Sequence, residues 1–89
     1  MQENINKISN GVDKKIRLFT TPVCIYCHTL KKFLGEHKVA FEEVDVSKDR
    51  AALEEMVKKS GQMGVPVAEI DGEIVVGFNK EKISALLRI

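Results

Sequence analysis

Thr21-Pro22-Val23-Cys24-Ile25-Tyr26-Cys27-His28 holds both cysteines of the chain, two residues apart, just after a short apolar run with the character of a strand. The alternative to a functional pair is two unrelated buried thiols, but Cys-x-x-Cys beside a strand–helix–strand pattern is a redox motif. Helix geometry shows why the spacing works. With Cys24 at the first turn of a helix, Cys27 falls on the same face with α-carbons about 5 to 5.5 Å apart, within bridging range of a disulfide. The free N–H groups and positive dipole end of that turn face Cys24 and favour its thiolate, while Cys27 lies deeper.

Working outward, Lys15-Ile16-Arg17-Leu18-Phe19-Thr20 combines β-formers with a partly apolar run and reads as the strand that delivers the chain to Cys24. From Cys24 onward, Cys27, Leu30, Phe33 and Leu34 recur at helical spacing. Lys31, Lys32 and Glu36 take the other side, and Gly35 falls near the end. This helix is expected to bury Cys27 and expose Cys24. Phe41-Glu42-Glu43-Val44-Asp45-Val46 alternates imperfectly as a second strand, and the strand–helix–strand order implies a right-handed parallel crossover.

Ser47 is positioned to cap a second helix, with Asp49 in its first turn, Leu53, Met56 and Val57 on its apolar face, Lys58 and Lys59 at its end and Gly61 beyond. Val65-Pro66-Val67-Ala68-Glu69-Ile70 and Glu73-Ile74-Val75-Val76 flank Asp71-Gly72, the signature of a type I′ hairpin. Pro66 cannot donate to a ladder and so belongs at the first position of its strand. Asn79 caps a last helix whose Ile83, Leu86 and Leu87 face inward. The count is four strands and three helices in an α/β domain over residues 15–89. Residues 1–14 form an amino-terminal extension that is either a frayed tail or a segment docked on the domain.

Bulk properties narrow the function. The chain's 89 residues fit one domain with a modest core. Fourteen Lys and Arg against 13 Asp and Glu leave a net charge of +1, with the lysines dispersed. No field of one sign exists to attract nucleic acid. The first residues, Met1 to Lys7, lack the apolar core of a secretory signal, and no stretch approaches the roughly 18 apolar residues of a membrane span. A cytoplasmic protein is expected, where reduced thiols make a cycling redox pair the better assignment than a structural bridge.

The chain resembles a glutaredoxin, within the thioredoxin-like superfamily, from about Lys15 to Arg88. The resemblance rests on Cys24-Ile25-Tyr26-Cys27 after the first strand, Gly64-Val65-Pro66 before the hairpin and Gly77-Phe78-Asn79 before the last helix. It implies a thioredoxin-like fold, a four-stranded mixed sheet flanked by three helices, with Cys24 as exposed nucleophile and Cys27 as resolving thiol. It also implies a cis Val65–Pro66 bond, backbone pairing of substrate or glutathione with Val65, and N–H groups of Gly77 to Asn79 presented to a glutathione carboxylate. Tyr26 takes a position that contacts glutathione or a partner protein, or is a partly exposed helix aromatic. Phe78 is either a partner contact or a hydrophobic cap on the last helix. His28, Lys31 and Lys32 read as solvated helix residues.

The implied activity is dithiol–disulfide oxidoreduction of protein disulfides, glutathione mixed disulfides or both, by a monomer with no bound cofactor and with glutathione as co-substrate. Departures from the glutathione-using pattern keep the reductant open. Ile25 stands where proline is common, Thr21 where a lysine often precedes the motif, and Val76-Gly77-Phe78-Asn79-Lys80 lacks the acidic anchor for a glutathione ammonium. Gly77-Phe78 looks instead like the redoxins that serve ribonucleotide reductase and are recharged by thioredoxin reductase. A metal site competes with this reading, as does a regulatory interaction domain with a redox-sensing pair, which predicts a stable partner and little turnover. A zinc finger lacks ligands, with His28 and His37 nine apart, whereas a dimeric iron–sulfur carrier needs only Cys24 from each chain and two further thiols. A brown dimer on anaerobic purification marks the carrier; a colourless monomer with a reversible internal disulfide marks the oxidoreductase.

Overall fold

The computed structural model describes residues 15–89, and the expected amino-terminal extension, residues 1–14, lies outside the described residues. The elements run β1 (Ile16–Thr20), α1 (Ile25–Glu36), β2 (Glu42–Asp45), α2 (Arg50–Ser60), β3 (Val67–Ile70), β4 (Glu73–Val76) and α3 (Lys80–Leu87). The sheet order is β2-β1-β3-β4, with β1 and β2 parallel and the other two pairings antiparallel. This is the four-stranded mixed sheet with three helices of the thioredoxin-like fold.

Two-residue alternation along β1 divides the core. Ile16 and Leu18 join Leu30, Phe33 and Leu34 of α1, and Ile83 and Leu87 of α3, on one face of the sheet. Phe19 joins Ala52 and Met56 of α2, with Val67, on the other. The first core fixes the tilt of α1, and hence the position of the cysteines at its start. At the hairpin, Asp71 and Gly72 both take positive φ, 51° and 93°, as a type I′ turn requires.

The structure corrects several boundaries. Helix α1 starts at Ile25, and Cys24 is its extended N-cap rather than a first-turn residue. Gly35 is the second-last residue of α1, near its end as expected, and the chain turns beyond it at Lys38, with φ 57°. Asp49, not Ser47, caps α2, accepting a hydrogen bond from the Ala52 N–H at 3.0 Å. Ser47 instead donates its own N–H to Asp45 at 2.9 Å, closing the turn after β2. The face that α2 buries is set by Ala52 and Met56; Leu53 and Val57 lie half-buried on its flank. Pro66 sits one residue before β3 rather than at its first position.

Candidate active site

The carboxyl end of β1 is held by the Val46 N–H, which donates to the Thr20 carbonyl at 2.9 Å, and the next carbonyl, of Thr21, accepts the Cys24 N–H at 3.3 Å. These bonds fix where the extended Cys24 backbone turns into α1. Its Sγ accepts the Cys27 N–H at 3.1 Å, so sulfur does the work that an oxygen does at an ordinary N-cap. That geometry places one of the otherwise unpaired N–H groups of the first turn on the sulfur and suits an electron-rich acceptor. As a thiol, Cys24 also donates to the Val65 carbonyl, at 3.7 Å. Cys24 is half-buried rather than exposed, and both cysteines are free.

Cys27, three residues on, is fully buried. Burial pushes its thiol up to about 12, with its hydrogen bond to Cys24 and the charge there adding to the rise. A hydrogen bond from the Thr21 backbone and the positive charge of Lys31 pull the other way. Two sulfurs three residues apart thus occupy different environments, one at a surface turn and one in the interior.

Lys31 is not a free surface charge. Its Nζ lies 2.8 Å from Glu43 Oε2, and the buried Thr20 hydroxyl donates to the same oxygen at 2.8 Å. These two bonds hold the Glu43 carboxyl below its usual range. His28 is exposed as expected, but its Nε2–H reaches the Pro22 carbonyl at 3.0 Å and ties the loop before Cys24 to the helix.

The structure brings three of the predicted segments together. Val65 faces Cys24 through its carbonyl, the Val65–Pro66 bond is cis, and the Pro66 carbonyl accepts the Gly77 N–H at 2.8 Å. Tyr26, on the turn between the cysteines, is 65% exposed. Phe78 is placed differently from a free contact residue: it is half-buried and meets the edge of Phe33 with ring centroids 5.9 Å apart, as part of the α1–α3 core. Asn79 uses its side chain on the Lys82 N–H, at 3.1 Å, to cap α3.

One brace was not foreseen. The Gln62 amide accepts the Gly64 N–H at 2.6 Å and donates to the Gly64 carbonyl at 3.1 Å, pinning the loop that leads to Val65. A Cβ on Gly64 would stand 2.8 Å from Gln62 Oε1, which ties the glycine to this brace. The Gln-x-Gly spacing was its one visible signal. Among the described residues no group of three or more His, Cys, Asp or Glu is arranged to hold a metal, and no helix is long and apolar enough to cross a membrane.

Comparison with known proteins agrees with this geometry. The glutaredoxin family profile matches residues 16–75. A glutaredoxin-like 8.6 kDa protein from the rubredoxin operon of Clostridium pasteurianum is 43% identical over 72 residues, covering 81% of this chain and 96% of that protein. Glutaredoxin 3 of Escherichia coli strain K12 is 36% identical over 62 residues, 70% of this chain and 75% of its own. The crystal structure of a mutant of the thioredoxin-like protein BC3987 superposes with a TM-score of 0.80 at 42% identity, covering 86% of this chain and 99% of that one.

Proposed function

The chain belongs to the glutaredoxin family, and from that premise we propose that it is a dithiol–disulfide oxidoreductase working through Cys24-Ile25-Tyr26-Cys27. The observation that carries the proposal is the asymmetry of the pair. Cys24 sulfur sits at the α1 N-cap on the Cys27 N–H, and the buried Cys27 thiol is held protonated. The Cys24 thiolate attacks one sulfur of a substrate disulfide, forming a Cys24–substrate bond, and the other substrate sulfur leaves and takes up a proton. Cys27 then gives up its proton and attacks Cys24 Sγ, closing the Cys24–Cys27 disulfide. The second substrate sulfur departs as a thiol, so two electrons have passed from the dithiol to the substrate. Lys31 and the Thr21 N–H favour the Cys27 thiolate that this second step requires.

In this reading the substrate chain lies along Val65 and Pro66, beside Tyr26, with the N–H groups of Phe78 and Asn79 offered to an anionic group; the Gly77 N–H, expected to join them, is instead taken by the Pro66 carbonyl. The working unit is the monomeric domain of residues 15–89, in the reducing cytoplasm, with no resident cofactor. Substituting Cys24 by Ser should abolish exchange with every disulfide. Substituting Cys27 by Ser should block reduction of protein disulfides while sparing reduction of glutathione mixed disulfides, which needs one thiol. An active Cys24→Ser protein, or equal losses on both substrate types in Cys27→Ser, contradicts these roles.

Two reductants fit the chemistry, and the Gly77–Asn79 turn favours the second. Glutathione is the family's co-substrate. However, Phe78 is engaged in the core and Asn79 in the cap, and the acid of the first turn of α3 is Glu81, two residues past the cap. That arrangement supports recharging by thioredoxin reductase, with ribonucleotide reductase or another protein disulfide as substrate. Equilibration with defined ratios of reduced to oxidised glutathione, acid quenching and intact mass measurement separates the two. A ready Cys24–glutathione adduct supports glutathione; little adduct and a thioredoxin-like potential support the reductase.

A further inference from the structure

A groove of about 680 Å³ lies between the turn after β2 and the outer flank of α2. Its volume is in the range of about 300 to 1,000 Å³ typical of ligand sites. Its floor is apolar: Val46, Leu53, Val57 and Met63. The floor is the part of the α2 apolar stripe that the core leaves uncovered. Ala52 and Met56 are covered, Leu53 and Val57 only half so, and Met63 is 68% exposed. The rim carries Lys48, Arg50 and Lys58 against a single acid, Glu54, which pairs with Arg50 at 3.4 Å. Lys48 and Lys58 are exposed, and although Asp45 lies close enough to feel the Lys48 charge, the groove's edge carries more cations than acids. The other side of α2 is the opposite: a cleft lined by Glu42, Glu43, Asp45, Asp49 and Glu55 with Arg17. An acidic partner is attracted to one flank of α2 and repelled from the other.

The groove is linked to the cysteine site through the chain at two points. Val46 is the residue whose N–H holds the Thr20 carbonyl, one residue before the Thr21 carbonyl that fixes Cys24. Met63 lies two residues before Val65, the carbonyl partner of Cys24. We propose that this groove docks an amphipathic segment of a protein substrate, with apolar side chains on the Leu53–Met63 floor and Asp or Glu against the Lys48–Lys58 edge, beside the disulfide that Cys24 attacks. The proposal rests on the disulfide-exchange function above. It deepens that function by naming the class of partner: an acidic amphipathic protein segment, which glutathione, lacking large apolar side chains, cannot imitate.

The test uses two synthetic peptides, each with one disulfide, identical except that the flanking segment combines Leu with Glu in one and Leu with Lys in the other. Serine analogues of both, without a disulfide, report binding alone, and bis(2-hydroxyethyl) disulfide reports exchange alone. The full chain should bind the acidic analogue and reduce the acidic peptide about tenfold better than the basic one, with the advantage shrinking as salt is added. A Lys48→Glu/Lys58→Glu variant should lose that preference at unchanged turnover of bis(2-hydroxyethyl) disulfide. Met63→Ser should weaken binding of both analogues. Equal treatment of the two peptides, or a preference that survives in the double variant, overturns the proposal. So does capture of the chain by anionic phospholipid vesicles with equal peptide rates, since the face is then a membrane contact. If bis(2-hydroxyethyl) disulfide is not reduced but the acidic analogue still binds preferentially, the groove stands and the exchange function falls.

Discussion

The Cys24 turn and the α2 face of β1 place their side chains in opposite ways. Around Cys24, Val23, Ile25 and Tyr26 are apolar or aromatic yet 88%, 76% and 65% exposed. On the α2 face, Arg17, Glu55 and Glu69 are charged yet partly covered, and the exposed Lys59 closes over them. Arg17 forks onto Glu55 at 2.7 and 3.2 Å and reaches Glu69 at 3.3 Å, while Lys59 joins the same two acids at 2.7 and 2.9 Å. Removing a charge from water is costly unless an opposite charge and hydrogen bonds replace the lost hydration, and here every charge has both. Among the described residues no comparable internal partner covers the apolar groups beside Cys24, and contiguous exposed apolar surface marks contact with another molecule. On the proposed roles the two regions divide stability from function, and each substitution below should affect one and leave the other.

The largest effect expected is from Cys24→Ser. Exchange should fall at least about a thousandfold, because an alcohol at neutral pH does not replace a thiolate nucleophile. Serine is itself a good N-cap, so urea unfolding should shift by less than about 0.5 kcal/mol. A stability loss of several kcal/mol would show that the turn is structural and break the division. Arg17→Ala should do the reverse. It leaves Glu55 and Glu69 dependent on Lys59 and strips the guanidinium from the Phe19 ring, 4.9 Å away. About 2 kcal/mol should be lost in urea unfolding, with turnover of a small disulfide unchanged.

pH sharpens the contrast, because the two regions titrate with opposite sign. Arg17 and Lys59 hold the Glu55 carboxyl at about 2, below its ordinary 4.5. A depressed acid contributes stability that is complete above its unfolded value and lost as pH falls toward its folded one. The protein should therefore weaken between about pH 4.5 and 2, and less steeply in Arg17→Ala. Cys27 is the converse: raised from 9.0 to about 12, it contributes fully below pH 9 and loses that contribution as pH rises toward 12. Alkaline melting curves should show this loss in the dithiol form and not in the disulfide form, which has no thiol to titrate. The smallest effect belongs to Ile25→Ser, which should change stability by less than about 0.5 kcal/mol. It should slow reduction of a protein disulfide more than that of bis(2-hydroxyethyl) disulfide.

The fold was legible where signals are local. The hairpin follows from Asp71-Gly72, the α3 cap from Asn79, and the buried face of α1 from the spacing of Cys27, Leu30 and Leu34. The start of α1 was displaced by one residue because a sulfur does the capping, and cap preferences are built on oxygen donors and acceptors. The α2 cap was misassigned because Ser47 and Asp49 are both good caps, and only the turn at Asp45 decides which is free. Ion pairs were out of reach. Lys31 meets Glu43 across 12 positions, and Arg17 meets Glu55 and Glu69 across 38 and 52. No periodicity carries such pairings. The cysteines themselves were legible, but their difference in environment depends on packing that brings Thr21, Val65 and Lys31 around them.

That difference is the central claim, and brief alkylation tests it most directly. The reduced protein is treated with limiting iodoacetamide at neutral pH, quenched and digested, and label at each cysteine is counted by mass spectrometry, with the urea-unfolded chain as reference. Native protein should carry its label on Cys24, at least about tenfold over Cys27, while the unfolded chain labels both alike. Equal labelling in the native protein, or label on Cys27 first, would contradict the assignment of Cys24 as the attacking thiol and Cys27 as the one that resolves.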